Sequence, residues 1–188
     1  MAGCDADGDD PQSRPRAAEA PHALPDLRPG WKPKRNAAAG FALGLPPGWS
    51  SGGGCAEGGR VGSASATLIC SPGRLVSVSI SADRTRDALA IPPERFAVRV
   101  LAALPGFQES LDPGRPAPFE HRYEAAQVAA TGIREGPGLR QRVRAIALRR
   151  DRLVTLTAVI AANAEQPTGG YGAQAVEAVG TLRTYPPG

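Results

Sequence analysis

The sequence predicts an α+β fold in which helices pack on an antiparallel sheet. Residues 75–82 alternate apolar side chains with serines, which is the pattern of a strand with one buried face. The apolar runs 139–149 and 153–161 are separated by a short polar connection, which indicates a β-hairpin. Residues 93–104 and 171–182 carry apolar stripes at helical spacing. Hairpins together with separate helices favour an antiparallel sheet covered by helices.

Residues 1–39 are expected to form a disordered tether. They begin with aspartates, continue with proline, alanine and arginine, and show neither helical nor strand periodicity. Their apolar surface is too small to offset the entropy lost on ordering the chain. The tether ends at Trp31, Lys32, Lys34 and Arg35, which we interpret either as contacts to lipid headgroups or as loose packing on the domain edge. A single domain is then expected over 40–188.

The first four residues, Met1-Ala2-Gly3-Cys4, are similar to the end of a lipobox, in which small residues precede a lipidated cysteine. We therefore expect a lipid anchor at Cys4 that attaches the chain to a membrane. Met1 stands where leucine is usual, and the basic and apolar parts of a signal peptide do not precede it. The expectation is that the gene starts upstream or that the leader was trimmed. The alternative is that Cys4 is an incidental thiol in the tether.

The domain is predicted to open with a strand over 41–45. Phe41, Leu43 and Leu45 alternate with small residues, and Pro46-Pro47-Gly48 ends the strand because two consecutive prolines lack an N–H donor. Trp49 closes the turn. This stretch resembles the opening of the Mog1/PsbP-like α/β/α sandwich family, in particular its small actinobacterial lipoprotein branch.

The resemblance implies a non-catalytic cell-envelope domain on the extracytoplasmic face of the membrane. Such a domain binds a lipid, a glycolipid or a protein partner, either between sheet and helix or along an exposed face. The family has no shared catalytic motif to carry over, and no binding residue can be transferred from it. The resemblance covers about residues 40–185.

The next segment, 50–63, is a glycine-dense loop that leads into strands. A phosphate-binding loop needs a Gly-Lys-Ser/Thr that opens a helix, so this reading is rejected. Cys55 and Cys70 are fifteen residues apart and suit a disulfide in an exported protein, whereas the alternative is a reduced pair. A zinc site is disfavoured because His22 and His121 show no ligand spacing.

The remaining elements follow from their periodicity. Residues 83–90 read as a polar loop, and a helix begins at Pro92-Pro93-Glu94 and ends at Pro105-Gly106. A short strand is expected over 107–111, and a longer one over 119–131. Residues 153–160 are apolar or threonine on both faces, which predicts a central strand covered on both sides.

Motifs for catalysis are missing from the sequence. It contains no Gly-x-Ser-x-Gly, no His-Glu-x-x-His and no Cys-x-x-Cys. His121 lies between Glu120 and Arg122 on a predicted strand, and Glu120 and Glu124 lack any sign of a partner for glycoside chemistry. We therefore expect no catalytic residue, no cofactor and no metal. The alternative is an envelope hydrolase or isomerase with an unfamiliar site.

A nucleic-acid partner is not expected, although the isoelectric point is near 9.3. The arginines that make the chain basic are not interleaved with aromatic residues, as a single-strand binding surface requires. The export signal also separates the domain from nucleic acid. No apolar run approaches the roughly 20 residues of a membrane-spanning helix.

Arg140, Arg142 and Arg144 are the candidate binding residues. Their spacing of two puts all three on one side of a strand, about 7 Å apart in succession. Ile146 and Leu148 share that side, so the strand should pass from an exposed end to a covered middle. One interpretation is a structural stripe that acidic residues of neighbouring strands neutralise. The other is a landing surface for anionic lipid headgroups, a polyphosphate wall polymer or an acidic partner, because the guanidinium fork suits phosphate.

Overall fold

The computed structural model of the chain describes residues 27–55, 67–108, 131–136, 139–150 and 154–185. Within these ranges the chain forms two antiparallel sheets and three helices, so the α+β fold with antiparallel sheets is confirmed. One difference is that the strands divide into two sheets, where the sequence analysis expected one.

The bounds of the elements are as follows. The strands are β1 (Lys32–Asn36), β2 (Phe41–Leu45), β3 (Ser50–Ser51), β4 (Thr67–Cys70), β5 (Val76–Asp83), β6 (Thr131–Gly136), β7 (Leu139–Arg150), β8 (Val154–Asn163) and β9 (Arg183–Thr184). The helices are α1 (Arg86–Ala90), α2 (Pro93–Ala102) and α3 (Tyr171–Gly180). The large sheet has the strand order β3-β4-β5-β8-β7-β6, and the small sheet has the order β1-β2-β9.

Strand β8 is the central strand of the large sheet, as its sequence predicted. It pairs antiparallel with β5 on one side and with β7 on the other. Every residue from Val154 to Ala161 is buried, so both faces of the strand are covered. Apolar and threonine side chains on both faces fit this position, because neither face meets water.

One face of the large sheet is covered by α1, which is held there by a buried arginine. Arg149 of β7 donates from Nη2 to the carbonyl oxygens of Ala88, at 2.7 Å, and Ile91, at 2.5 Å. Its Nε donates to Thr155 Oγ1 on β8 at 3.3 Å. The guanidinium thus satisfies carbonyls at the end of α1, where a cation is also favourable to the helix dipole. Helix α2 follows directly and packs on β7 and β8.

The opposite face of the large sheet carries the small sheet and α3. Asn36 of β1 donates from Nδ2 to Thr67 Oγ1 of β4 at 2.8 Å. Thr67 lies on the other face from Arg149, because it is in register with Ile80, and Ile80 with Ala158. Helix α3 contacts β2, β5 and β8. The molecule is therefore layered as helices, a large sheet, and then a helix beside a small sheet.

The expected boundary at residue 40 is wrong for the part of the tether that the structure describes. Lys32–Asn36 forms β1, which pairs along its whole length with β2. This polar edge strand has no apolar alternation, since its hydrogen bonds to β2, rather than its own burial, hold it in place. Residues 1–26, which include Cys4, lie outside the described residues.

Strand β2 is closely packed on its second face. Gly44 donates its N–H to Thr181 Oγ1 at 2.7 Å. A Cβ added at Gly44 would lie 2.8 Å from Leu27 Cδ2 and 2.9 Å from Trp31 Cε3. Trp31 is half-buried there, which agrees with the interpretation that it packs on the domain edge.

Four other elements differ from the sequence analysis. The polar loop expected over 83–90 contains α1, which begins after Thr85 because that side chain accepts from the backbone N–H of Ala88. Strand β6 covers 131–136, whereas the long strand was expected to end at 131; the rest of 119–131 lies outside the described residues. Of the expected strand 107–111, the structure shows Phe107 and Gln108, whose N–H donates to Ile133 O at 2.8 Å. Strand β9 was not predicted.

We predict that Arg149→Met lowers the free energy of unfolding by about 3 kcal/mol, because it removes the hydrogen bonds to the carbonyls of Ala88 and Ile91 and leaves Ala88 O with the 3.5 Å contact from Thr155 Oγ1. Urea denaturation of wild type and variant measures the difference. Arg99→Met, at an exposed position of α2, is the matched control and should change stability by less than about 0.5 kcal/mol. A variant as stable as wild type would mean that burying the guanidinium costs as much as its hydrogen bonds contribute.

We also predict that Gly44→Ala destabilises the domain by about 1–3 kcal/mol, because the new methyl group must displace Leu27 or Trp31. Thermal unfolding followed by tryptophan fluorescence measures the loss. Gly172→Ala in α3 is the control, since its Cβ would meet only Thr168 Oγ1, at 3.8 Å. Alanine should be neutral or stabilising there. Equal effects at the two positions would contradict the close packing of Gly44.

Candidate functional site

The candidate site is the exposed end of β7, where Arg140, Arg142 and Arg144 occupy alternate positions. Arg140 and Arg142 are exposed, and Arg144 is half-buried. Ile146 and Leu148 continue the same side of the strand and are 0% and 1% exposed. The strand therefore passes from water into the core along one side, as the sequence predicted. We call Arg142 and Arg144 the arginine rim.

The arginine rim has uncharged neighbours on both sides, and the one opposite Arg144 on β6 is Thr131. Arg142 is in register with Ile133 of β6 and with Ala162 of β8, both half-buried. Arg144 is in register with Ile160 of β8, which is 6% exposed. Long arginine stems can cover such surface while the guanidinium groups stay in water. The cross-strand positions next to the rim thus carry no carboxylate.

Arg140 has a different setting. It is in register with Glu135 of β6, and opposite charges directly across an antiparallel pair attract. By register, the structural interpretation of the stripe, in which acidic residues of a neighbouring strand neutralise it, concerns Arg140. No acidic residue is in register with Arg142 or Arg144. The predicted stripe therefore consists of one arginine with an acidic residue in register and two arginines without one.

Elsewhere in the described part of the chain, a salt bridge joins Arg28 Nη2 to Glu177 Oε1 at 2.5 Å. Its side chains are 72% and 32% exposed, so solvent weakens it to at most about 1 kcal/mol. This pair ties the segment before β1 to α3. It does not involve the arginine rim.

The structure joins Cys55 and Cys70 in a disulfide, with Cα atoms 5.7 Å apart. Cys70 ends β4, and Cys55 ends the 3₁₀ turn Gly52–Cys55 that follows β3. The bridge fixes this turn against the edge of the large sheet. The glycines of this turn belong to the segment for which the sequence analysis rejected a phosphate-binding loop.

The sequence analysis did not foresee the contacts of Trp49. Its indole Nε1 donates to Gln174 Oε1 of α3 at 2.9 Å, and its ring packs edge-on against Tyr171 at 6.4 Å between centroids. Trp49 is buried, so these contacts join the turn after β2 to the start of α3. The tryptophan could be seen in the sequence, but its partners 122 and 125 residues away could not.

The described residues contain no group of three His, Cys, Asp or Glu side chains placed to hold a metal ion. Nor does any helix among them have the length and apolar character needed to cross a bilayer. His22, Glu120, His121 and Glu124 lie outside the described residues, as does Cys4.

In a comparison with solved structures, the chain is similar to the solution structure of cyanobacterial PsbP (CyanoP) from Synechocystis sp. PCC 6803. Sequence identity is 12% and the TM-score is 0.48, with 83% of this chain and 93% of that chain covered. No protein-family model matches the chain, and no curated protein matches it. An identity of 12% transfers no residue role from that protein to this chain.

We predict that replacing both Cys55 and Cys70 by serine lowers the free energy of unfolding by about 3 kcal/mol, because the bridge closes a loop of 15 residues. Denaturant unfolding of oxidised protein measures the loss, and Cys4→Ser should have no effect. Thiol titration of the unreduced wild type should detect Cys4 alone. Reaction of Cys55 and Cys70 in that titration would contradict the disulfide.

Proposed function

We propose that this protein is a non-catalytic binding domain of the cell envelope, held at the extracytoplasmic face of the membrane by a lipid on Cys4. Its arginine rim binds an anionic partner. The partner classes are those of the sequence analysis: a lipid or glycolipid headgroup, a polyphosphate wall polymer or an acidic protein surface. Each presents several anionic oxygens to the two guanidinium groups.

The observation that carries the proposal is the register of β7 with its neighbours. Arg142 and Arg144 are two residues apart on one side of a strand, beside Ile133, Ala162 and Ile160. Two like charges at this spacing repel each other. A ligand with two or more anionic groups relieves that repulsion and accepts bidentate hydrogen bonds from both guanidinium groups.

Two features support the proposed location at the extracytoplasmic face of the membrane. A disulfide is typical of proteins in oxidising compartments, and Cys55 and Cys70 are bonded. The lipobox-like start, Met1-Ala2-Gly3-Cys4, adds the anchor. Together they support a domain outside the cytoplasm and near a membrane.

The alternative function is an envelope hydrolase or isomerase. Such an enzyme needs a base, a nucleophile or a metal site, and His121 is the sequence's best candidate for a base. Because His121 lies outside the described residues, no contact of it favours this alternative. The binding function therefore remains the proposal.

We predict that Arg142→Gln/Arg144→Gln weakens binding of inorganic polyphosphate at least about tenfold, because two charge-assisted contacts are lost. Isothermal titration calorimetry at low salt measures the affinity. The wild-type affinity should fall steeply as salt is added, and that of the variant should fall less.

The matched control is Arg95→Gln/Arg99→Gln, which removes the same charge from exposed positions of α2. It should bind nearly as the wild type does. Equal losses in the two variants would mean that net charge alone attracts the polyanion. If the rim variant binds polyphosphate with unchanged affinity, the rim is an ordinary solvated surface.

A further inference from the structure

A second basic surface lies on β1, an edge strand of the small sheet, and on the residues just before it. Four cationic residues fall within the nine positions 28–36, and the described segment 27–36 contains no acidic residue. We call Arg28, Lys32, Lys34 and Arg35 the β1 surface. Arg28, Lys32 and Arg35 are exposed, and Lys34 is half-buried.

The register of β1 shows how these charges are arranged. Lys32 and Lys34 share the side of the strand that Leu45 and Leu43 occupy on β2. Arg35 is on the other side, so cationic residues flank both sides of this edge strand.

The positive charge of the small sheet is concentrated on β1. Arg35 is in register with Ala42, and Ala42 with Arg183 of β9. Ala42 is 2% exposed, and Arg183 Nη1 donates to the carbonyl oxygens of Gly180 and Leu182. Arg183 therefore does not extend the β1 surface.

The β1 surface is separated from the arginine rim. Asn36, at one end of β1, is hydrogen-bonded to Thr67 of β4. Lys32, at the other end, pairs with Leu45, which immediately precedes the turn into β3. The rim is on β7, three strand spacings beyond β4, or about 14 Å. The two surfaces are on the same face of the large sheet, because Thr67 is in register with Ile80, Ile80 with Ala158, and Ala158 with Ile146, which shares the side of the arginine rim.

Protection of the sheet edge explains part of this composition. Strand β1 is an edge strand, and lysines and a proline on an edge prevent other strands from pairing with it. That role requires charge of either sign. It does not account for the positive sign of Lys32, Lys34 and Arg35, whereas Arg28 is paired with Glu177 of α3.

We propose that the β1 surface docks the domain on an anionic phospholipid membrane. Lysine and arginine beside a negatively charged leaflet are attracted to its headgroups, and each residue adds to the affinity. The chain from residues 1–26 joins the domain at this surface, so an anchor at Cys4 and the β1 surface would act on the same membrane.

This inference does not depend on what the arginine rim binds. The β1 surface is on the small sheet and the rim is on β7 of the large sheet, so variants of each surface test the two proposals separately.

Sedimentation with vesicles tests the proposal on the full, unlipidated chain. The vesicles contain phosphatidylcholine alone or with 30 mol% phosphatidylglycerol as the anionic probe. Wild type should bind only the anionic vesicles, and added salt should release it. Lys32→Gln/Lys34→Gln/Arg35→Gln should lower the partition coefficient about 100-fold.

Three controls separate the explanations. Arg84→Gln/Arg95→Gln/Arg99→Gln removes the same charge from other exposed positions and should keep most of the binding. Arg142→Gln/Arg144→Gln should also bind the vesicles. Lys32→Glu/Lys34→Glu/Arg35→Glu keeps the edge charged, so it should remain monomeric in light scattering and yet fail to bind.

Two results would overturn the proposal. The first is that the β1 variants bind the anionic vesicles as tightly as the wild type does, or that the Arg84, Arg95 and Arg99 variant loses as much vesicle binding as they do. The second is loss of binding in the arginine-rim variant alone, which would make the rim the membrane surface. The β1 variants should still bind polyphosphate, because that binding is expected to depend on the arginine rim. This measurement separates the two proposals.

Discussion

The pairing of β8 with β5 and β7 is the constraint on which the rest of the structure depends. It joins ten residue pairs on one side and eight on the other, and it places β8 in the middle of the large sheet. A slip of one residue would turn every side chain of a strand to the other face. Ile146 and Leu148 would then move to the face covered by α1 and α2, and Arg149 would move away from the carbonyls of Ala88 and Ile91, so packing on both faces fixes the register.

That register also creates the candidate site. Because Ile146 is opposite Ala158 and Leu148 opposite Leu156, Arg142 and Arg144 fall on the same side but beyond the covered part of the sheet. The core therefore determines where the two guanidinium groups stand. Their apolar neighbours follow from the same pairing. The binding surface is thus a consequence of how the sheet is packed.

The sequence predicted the elements whose burial produces a periodic pattern. Strand β5, with alternate serines, and β8, apolar on both sides, could be placed within a residue or two, and so could α2 and α3. Strand β1 could not be predicted, because a polar edge strand gains its stability from hydrogen bonds to its neighbour. Helix α1 was too short for a periodic stripe, although Thr85 as its N-cap was a usable signal.

The candidate site also has features that the sequence predicted and features that it could not predict. The stripe at 140, 142 and 144 and its transition into the core were visible in the sequence, as was the pairing of Cys55 with Cys70. The sequence could not assign Glu135 to Arg140, since that depends on the register of β6 with β7. Nor could it separate Arg149 from the other arginines. Its burial and its contacts to α1 depend on residues about 60 positions earlier in the chain.

The two proposed cationic surfaces belong to different sheets of one domain. At the arginine rim the charges are next to uncharged residues of the neighbouring strands, which favours an anionic ligand. At β1 they lie where the chain enters the domain, which favours a surface close to the proposed anchor. Arg149, a buried arginine among the described residues, makes structural hydrogen bonds instead.

The central claim is that Arg142 and Arg144 together bind an anionic partner, and nuclear magnetic resonance tests it most directly. The Nε–Hε signals of arginine side chains can be followed while polyphosphate is added to ¹⁵N-labelled protein. The account predicts that the signals of Arg142 and Arg144 shift together and saturate at one stoichiometry, while those of Arg95 and Arg99 stay in place. Shifts of equal size at all exposed arginines, or shifts that leave Arg142 and Arg144 unchanged, would contradict it.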